Sequence, residues 1–341
     1  MIRVSRYEAG AAEWDAFVQD QPDWTHFHRY GWREVVSEVF GHDCPYLAAW
    51  EDDRLVGVLP LVRVKSLLFG HYLVSMPFVN YGGPLGSPEA VRALALEAGE
   101  LARRQRVKLL ELRSRTAQPI PLEVSHRKIT VVLDLPADGP SALWKRLDAK
   151  VRSQIRRPQK AGVTVLFGLD QAPAFFSVFS RHMRDLGTPV QSYALFDAIA
   201  RRFGDSVWFG CAYLNGDPIA GGCGFRWRDE FEITWASSLR EHNRIAPNML
   251  LYWSFLEQAS TSGLRLFNFG RCSPDGGTHR FKMQWGSREE PLWWYHQALS
   301  ARAHATPSPN DSALAWGPRL WKHLPERVAT ALGPHIVRYI P

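Results

Sequence analysis

The chain has only four cysteines, Cys44, Cys211, Cys223 and Cys272, and none stands in a CxxC pair or beside a histidine at metal-ligand spacing. That argues against a zinc site and against a disulfide framework, and fits reduced thiols. With Asn215-Gly216 as a hairpin turn, Cys211 falls opposite about Ala220 and Cys223 opposite about Trp208, so these two should not bridge. No window approaches about 18 uninterrupted apolar residues, so no membrane-spanning helix is expected. The opening "MIRVSRYEAGAAEWDAF" has neither an apolar h-region nor a small-residue cleavage site. No secretory signal is visible there, and the expected location is cytoplasmic, in solution or at a membrane face. RNP, zinc-finger and helix-turn-helix signatures are missing, so sequence-specific DNA recognition is not expected. The sequence asks for no cofactor and no metal.

What is present is a composition suited to packing. Hydrophobic residues make up 45% and charged residues 22%, with 14 Trp and 18 Phe, so order is expected nearly throughout. The 341 residues exceed one ordinary core and suit two domains of roughly 150 residues. A formal net charge of +7 makes the surface attractive to polyanions, phosphorylated substrates or anionic headgroups.

The chain reads as doubled. "YLAAWEDDRLVGVLPLVRV" (46–64) is two strands around an acidic turn, and "FGCAYLNGDPIAGGCGFRW" (209–227) is two strands around Asn215-Gly216, a type I′ signal. Further on, each copy has a helix leading into a strand: "AVRALALEAGELARRQRVKLLELR" (90–113) and "NMLLYWSFLEQASTSGLRLFNFG" (248–270). Apolar residues recur there at three- and four-residue spacing before alternating or continuous apolar runs. The predicted fold class is α/β of the α+β type, two tandem domains, each a mixed, mostly antiparallel sheet flanked by helices. This layout resembles the GNAT acyltransferase fold. The predicted domains are 1–140 and 141–300, with 301–341 as a linker and amphipathic tail suited to packing on the first domain.

Between the copies, residues 145–160 hold Lys145, Arg146, Lys150, Arg152, Arg156, Arg157 and Lys160 against one acid, Asp148. A helix ending before Pro158 places Leu143, Leu147, Val151 and Ile155 on an apolar stripe, with Lys145, Arg152 and Arg156 on one solvent-facing arc. Such crowding suits a phosphate clamp, for a nucleic-acid backbone or a diphosphate, and equally describes a solvated helix face.

The stretch "FNFGRCSPDGGTHRFKMQWG" (267–286) runs from a strand through Arg271 into a Gly-rich turn, then sets Lys282 between Phe281 and Trp285. A cation held there suits the oxyanion of a tetrahedral intermediate, or a charge on a departing group. Gly276-Gly277 permits close backbone approach, and Arg271 suits a phosphate or carboxylate. Asp275 and His279 are candidate bases for an acceptor amine. Cys272 has no His and acid that the sequence can match to it as a nucleophile's partners. Asn80 and Tyr81 in "PFVNYGG", and Trp235 and Asn248, are candidates to line a substrate groove. Phe27, Tyr30 and Trp32 in "THFHRYGW" read as core.

These strings resemble the FemAB group of tandem-GNAT aminoacyl and acyl transferases, in particular the FemAB-like proteins found with PEP-CTERM/exosortase exopolysaccharide systems. The resemblance rests on "LPLVRVKSLLFGHYLVSMPFVNYGGPL", "AKVRSQIRRPQKAG", "HMRDLGTPVQS", "WASSLREHNRIAPNMLLYW" and "FNFGRCSPDGGTHRFKMQWG", and covers about residues 55 to 295. It implies transfer of an acyl group, often an aminoacyl group carried on tRNA, to an amine of a cell-envelope precursor. It implies that Phe281-Lys282 lies where donor meets acceptor, with the lysine stabilising charge. It further implies that cations between the halves, Arg184 among them, contact acceptor phosphates. The family commonly has aspartate and serine where this chain has Asn268 and Cys272, which weakens a carboxylate role there.

The expected partners are a phosphorylated envelope or polysaccharide precursor, aminoacyl-tRNA, and the inner membrane face as a peripheral contact. Two other readings stay open. One is a small-molecule N-acyltransferase using acyl-CoA, although "HNRIAPNML" lacks the glycines that usually cradle the pyrophosphate. The other is a non-catalytic polyanion-binding protein.

Overall fold

The fold comes from a computed structural model, which describes residues 1–300 and 316–341. Two compact units emerge. The first takes Met1–Lys128, the strand that follows Pro291, and His335–Pro341; the second takes Ile129–Glu290 and, of the described C-terminal residues, 316–334.

The first unit contains β1 (Ile2–Arg6), α1 (Ala11–Gln19), α2 (Gly31–Phe40), β2 (Leu47–Glu51), β3 (Arg54–Leu59), β4 (Val62–Ser66), β5 (Gly70–Val74), β6 (Leu85–Gly86), α3 (Pro88–Arg104), β7 (Leu109–Ser114) and β8 (Glu123–Ser125). One sheet has the order β1-β2-β3-β6. The other runs β4-β5-β7, then Trp293–Ala298, then β8. The segment expected to close the second domain thus gives its last strand to the first unit. Helix α3 starts where the chemistry favours it: the Ser87 hydroxyl accepts the Ala90 N–H at 3.2 Å, Pro88 opens the first turn, and Arg103 and Arg104 sit in the last. Its buried face of Ala90, Val91, Leu94, Ala95, Ala98 and Ala102 packs on Leu47, Ala49, Leu110 and Leu112.

The second unit contains β9 (Ile129–Asp134), α4 (Pro140–Arg146), α5 (Ala149–Lys160), β10 (Thr164–Phe167), α6 (Ala172–Leu186), α7 (Tyr193–Phe203), β11 (Val207–Leu214), β12 (Asp217–Trp227), β13 (Glu230–Ser238), α8 (Pro247–Thr261), β14 (Leu266–Cys272), α9 (Gly277–Met283) and β15 (Arg288–Pro291). Its single sheet has the order β10-β11-β12-β13-β14-β9-β15. Beyond it, β16 (Trp293–Ala298) belongs to the first unit, and α10 (Trp316–Trp321) and α11 (Glu326–Val337) follow. Residues 301–315 of the expected linker lie outside the described residues.

The hairpin–helix–strand module occurs twice, as β2-β3, α3, β7 and as β11-β12, α8, β14. Asn215 and Gly216 take φ 54 and 89, as the type I′ turn requires. Two local expectations are corrected. The basic segment is not one helix: Leu147, at ψ 142, separates α4 from α5. Pro158 lies inside α5, in its last turn, where its missing N–H costs a single ladder bond and its carbonyl still accepts from Val163 at 3.0 Å. The stripe of Leu143, Leu147, Val151 and Ile155 is buried across the break. The cysteine register also shifts by one: a bulge between Ala212 and Tyr213 sets Cys211 opposite Gly221 and Cys223 opposite Phe209. All four thiols are buried and none is in a disulfide, and burial pushes Cys211 up to about 12, so it is inert.

In each unit the strand after the helix pairs in parallel over only three residue pairs. β5 meets β7 at Tyr72–Leu109 through Val74–Glu111, and β13 meets β14 at Glu230–Leu266 through Glu232–Asn268. Beyond those pairs the strands part. In the first unit the space is taken by the chain that follows β5. The Ser75 hydroxyl accepts the Arg113 N–H at 2.7 Å, and Gly82 N–H donates to the Arg113 carbonyl at 2.9 Å. In the second unit the space stays open. Among the described residues no helix is long and apolar enough to cross a membrane.

Candidate active site at a strand fork

Where β13 leaves β14, a cavity of about 270 Å³ is lined by Ala236, Ser237 and Ser238 of β13, Asn248, Leu251 and Tyr252 of α8, Gly277, Thr278 and Phe281 of α9, and His182 of α6. A larger hollow of about 470 Å³, lined by Trp208, Arg226, Gln258 and others, opens at the other end of the β11–β12 hairpin, but its walls hold no histidine, lysine or cysteine. The larger hollow carries one carboxylate, Asp205, whereas the smaller carries a histidine, the side chain that titrates nearest neutral pH.

Each wall follows from a local pattern. Helix α6 buries Phe175, Val178 and Phe179 at helical spacing, and His182 continues that stripe into the last turn. Helix α8 opens with Pro247 after Ala246, whose φ of 54 is strained for a residue with a Cβ. Asn248 and Tyr252, one turn apart, reach the cavity. Phe281 is held by Tyr252 at 4.9 Å and Trp285 at 6.3 Å between ring centroids.

His182 is the residue that the sequence reading passed over in favour of its neighbour Arg184. The signal was available in "AFFSVFSRHM", where residue 182 falls on the apolar stripe although it is polar. Its Nδ1 is buried without a hydrogen-bond partner among the described residues. Burial first, then the charge of Arg240, lowers its pKa, while Asp185 and the Ser238 backbone pull it partly back. At neutral pH the ring is uncharged, and its enclosed Nδ1 has a lone pair that no group among the described residues occupies.

The predicted residues divide. Phe281 and Asn248 line the cavity; Lys282 is not among its walls. The ammonium is buried at 3% exposure and donates to the Gly270 carbonyl at 2.6 Å and the Arg271 carbonyl at 3.0 Å. Burial lowers its pKa to about 8, with Cys272 and Glu232 pulling it up and Arg271 down. Residues 281 and 282 lie about 100° apart on α9, so when the ring faces this cavity the lysine faces β14. Arg271 is half-buried on that strand, outside the cavity wall. Trp235 is half-buried, packs edge-on against Phe196 at 5.4 Å and is not among the residues lining this cavity. Asn80 and Tyr81 are buried, at 6% and 1% exposure, in the segment that fills the first unit's fork.

The basic residues are more committed than a solvated arc implies. Arg152 donates to the Leu147 carbonyl across the α4–α5 break, Arg156 lies 5.3 Å over the Trp144 ring, and Arg157 donates to the Arg244 carbonyl at 3.2 Å. Lys150 is exposed. Arg184 pairs with Asp185 at 2.6 Å. Of the candidate bases, His279 accepts the Asp275 N–H at 3.1 Å and meets Glu289 at 2.7 Å, so both its nitrogens are engaged away from the cavity.

A buried polar cluster that the sequence reading also missed lies at the point of the fork. Asn268 donates to Glu230 at 2.9 Å and accepts from Thr130 at 2.6 Å and from Gly270 N–H at 2.8 Å, with fully buried Glu232 opposite it in the strand register. The alternation Glu230, Glu232 in "EFEITW" was its sequence signal.

Residues 145–283 match the acetyltransferase (GNAT) domain family. No curated protein matches the chain. Among solved structures it is similar to FemX, at 14% identity over 85% of this chain and 97% of that one, with a TM-score of 0.66. It is also similar to the C-terminal domain of a putative lysylphosphatidylglycerol synthetase from Agrobacterium fabrum, at 14% identity over 84% and 91% of the two chains, TM-score 0.58. A tandem GNAT protein from the clavulanic acid biosynthesis pathway aligns at 16% identity over 90% and 100%, TM-score 0.54. The chain has a tandem GNAT-like fold and is an enzyme of the acyltransferase class.

Proposed function

We propose that the chain is an N-acyltransferase of FemAB type that passes an acyl or aminoacyl group to an amine of a phosphorylated cell-envelope or exopolysaccharide precursor, with the fork cavity as the place of transfer. The observation that carries this reading is the unpartnered Nδ1 of His182, uncharged at neutral pH, in the wall of a cavity ringed by hydroxyl and amide groups.

The chemistry needs three things. The acceptor amine attacks the ester or thioester carbonyl carbon and must shed a proton, which His182 accepts. The carbonyl oxygen becomes an oxyanion, and Thr278, Ser238 and Asn248 are the donors within the cavity wall. As the C–O or C–S bond breaks, the departing oxygen or sulfur takes the proton from His182, leaving an amide and a free alcohol or thiol. Lys282 acts one step back, holding the bulge of β14 that precedes α9, which presents Thr278 and Phe281.

A carrier other than CoA fits the loop before α8 better. Pro247 removes one N–H from the first helical turn, and "HNRIAPNML" has no glycine to admit a diphosphate close to the backbone. The structural similarity to FemX and to a domain of a putative lysylphosphatidylglycerol synthetase supports an aminoacyl donor. The exposed cations Lys150, Arg156 and Arg157 are suited to the backbone of a tRNA donor or to the phosphates of the acceptor.

The test is to incubate the protein with aminoacyl-tRNA pools or acyl-CoAs and a panel of amine-bearing, phosphate-linked saccharides, and to identify amide products by mass spectrometry. Amide formation from aminoacyl-tRNA supports the full reading. Formation from acyl-CoA alone supports the CoA-dependent alternative. No amide from either donor, or equal yields from wild type and His182→Gln, defeats the assignment of the cavity.

A further inference from the structure

Leu67 and Leu68 stand at the tip of the β4–β5 hairpin at 104% and 90% exposure. They are adjacent, and the fold gives them nothing to pack on. The tip is nevertheless ordered by its own polar groups. The Ser66 hydroxyl accepts the N–H groups of Leu68 and Phe69, each at 3.2 Å, and the Tyr72 hydroxyl donates to the Phe69 carbonyl at 2.6 Å. Backbone polarity that is satisfied locally is what allows a loop to leave water, since an unpaired N–H or C=O in hydrocarbon is costly.

The charge around the tip is of one sign. From Arg54 to Pro88 the chain contains no Asp or Glu. Lys65 precedes the tip on β4, His71 follows it on β5, and Lys108, which donates its N–H to the His71 carbonyl at 2.7 Å, brings exposed Arg106 and its own ammonium alongside. Of the neighbouring cations, Arg63 is paired with Asp43, and Arg103 and Arg104 with Glu100 and Glu97.

We propose that this hairpin tip is a membrane-docking element, with Leu67 and Leu68 entering the headgroup and upper acyl region of an anionic bilayer while Lys65, Arg106 and Lys108 rest against lipid phosphates. Two apolar side chains on a convex, cation-collared tip suit a surface that deforms around them. A folded protein partner needs roughly 800 Å² per side and a complementary hollow, which a two-residue apex does not supply. The proposal is independent of which acyl group the enzyme transfers.

The experiment is co-sedimentation of the full chain with vesicles of phosphatidylcholine alone or mixed with phosphatidylglycerol. The expected result is binding to the mixed vesicles that weakens as salt rises. Leu67→Ser/Leu68→Ser should lower the partition coefficient at least tenfold with an unchanged melting temperature, because neither side chain is buried. Lys65→Glu/Lys108→Glu should abolish the preference for the anionic vesicles. Equal sedimentation of wild type and the double serine variant overturns the proposal. So does a wild type that self-associates without vesicles and becomes monomeric in that variant, which would make the tip a contact between copies of the chain.

Discussion

The Lys282 ammonium lies 2.6 Å from the carbonyl of Gly270, a residue whose own N–H is held by the Asn268 side chain at 2.8 Å. Gly270 has φ 72 and sits at the bulge between Asn268 and Arg271, where β14 shifts register against β9 before pairing resumes. Lysine and asparagine thus fasten both polar groups of one residue at that bulge. These bonds tie Lys282 to the strand that precedes the wall carrying Thr278 and Phe281.

The clamp has a pH signature. The pKa of Lys282 is lowered from 10.5 to about 8. Between those values the unfolded chain binds a proton that the folded chain has released, so stability rises with pH across that window, by up to about 3 kcal/mol. Tyrosines titrating in the same range work in the other direction, so the quantity to measure is the difference between wild type and Lys282→Met in urea unfolding. The wild type should gain on the variant from pH of about 8 upward. A constant difference means that the ammonium is not desolvated as the structure has it.

For His182, replacement by Gln keeps size and polarity but removes the proton acceptor. The expected loss in kcat is between about a hundredfold and ten-thousandfold, with KM little changed. In the wild type the acid limb of kcat/KM should lie below the ordinary histidine pKa of 6.5, because burial lowers the folded value. An acid limb at or above 6.5, or a variant with normal kcat, assigns the base elsewhere.

The doubled hairpin–helix–strand order was legible because turns and amphipathic periods are local: Asn215-Gly216 specifies its own turn, and the α3 and α8 stripes their own faces. The α4–α5 break was not, because Leu147 and Asp148 carry no breaker; the tertiary pull of Leu143 and Val151 toward one core decides the bend. Lys282 was legible as an exceptional cation but not in its direction, since one residue of rotation on α9 separates cavity from sheet. His182 was hidden by its neighbour Arg184, whose charge reads louder than a histidine on an apolar stripe.

The basic segment supplies a separation of roles. Arg152→Gln removes the donor to the Leu147 carbonyl and should cost about 1 kcal/mol or more of stability. Lys150→Gln removes an exposed charge, should leave the melting temperature unchanged, and should weaken polyanion binding while lowering the slope of log affinity against log salt by about one. Filter binding of tRNA across a salt series, beside thermal unfolding, checks both. If Lys150→Gln leaves the salt slope intact, the segment is a solvated face and not a phosphate contact.

Asn268 permits a last test, because its amide nitrogen donates to Glu230 at 2.9 Å inside a fully buried cluster. Asn268→Asp keeps the oxygen that accepts from Thr130 and Gly270 but sets a second carboxylate oxygen against Glu230. Two carboxylates at that distance cannot both ionise, so the pair holds a proton that the unfolded chain gives up near pH of about 4. A raised folded pKa means stability that is present at low pH and lost as pH rises. The variant should therefore lie near wild type at pH of about 4 to 5 and fall behind by about 2 kcal/mol or more at pH of about 7. Asn268→Ala, which creates no second charge, should show a deficit of the same size at both. If Asn268→Asp is as stable as wild type at neutral pH, Glu230 does not accept from this side chain, and the fork is held by other contacts.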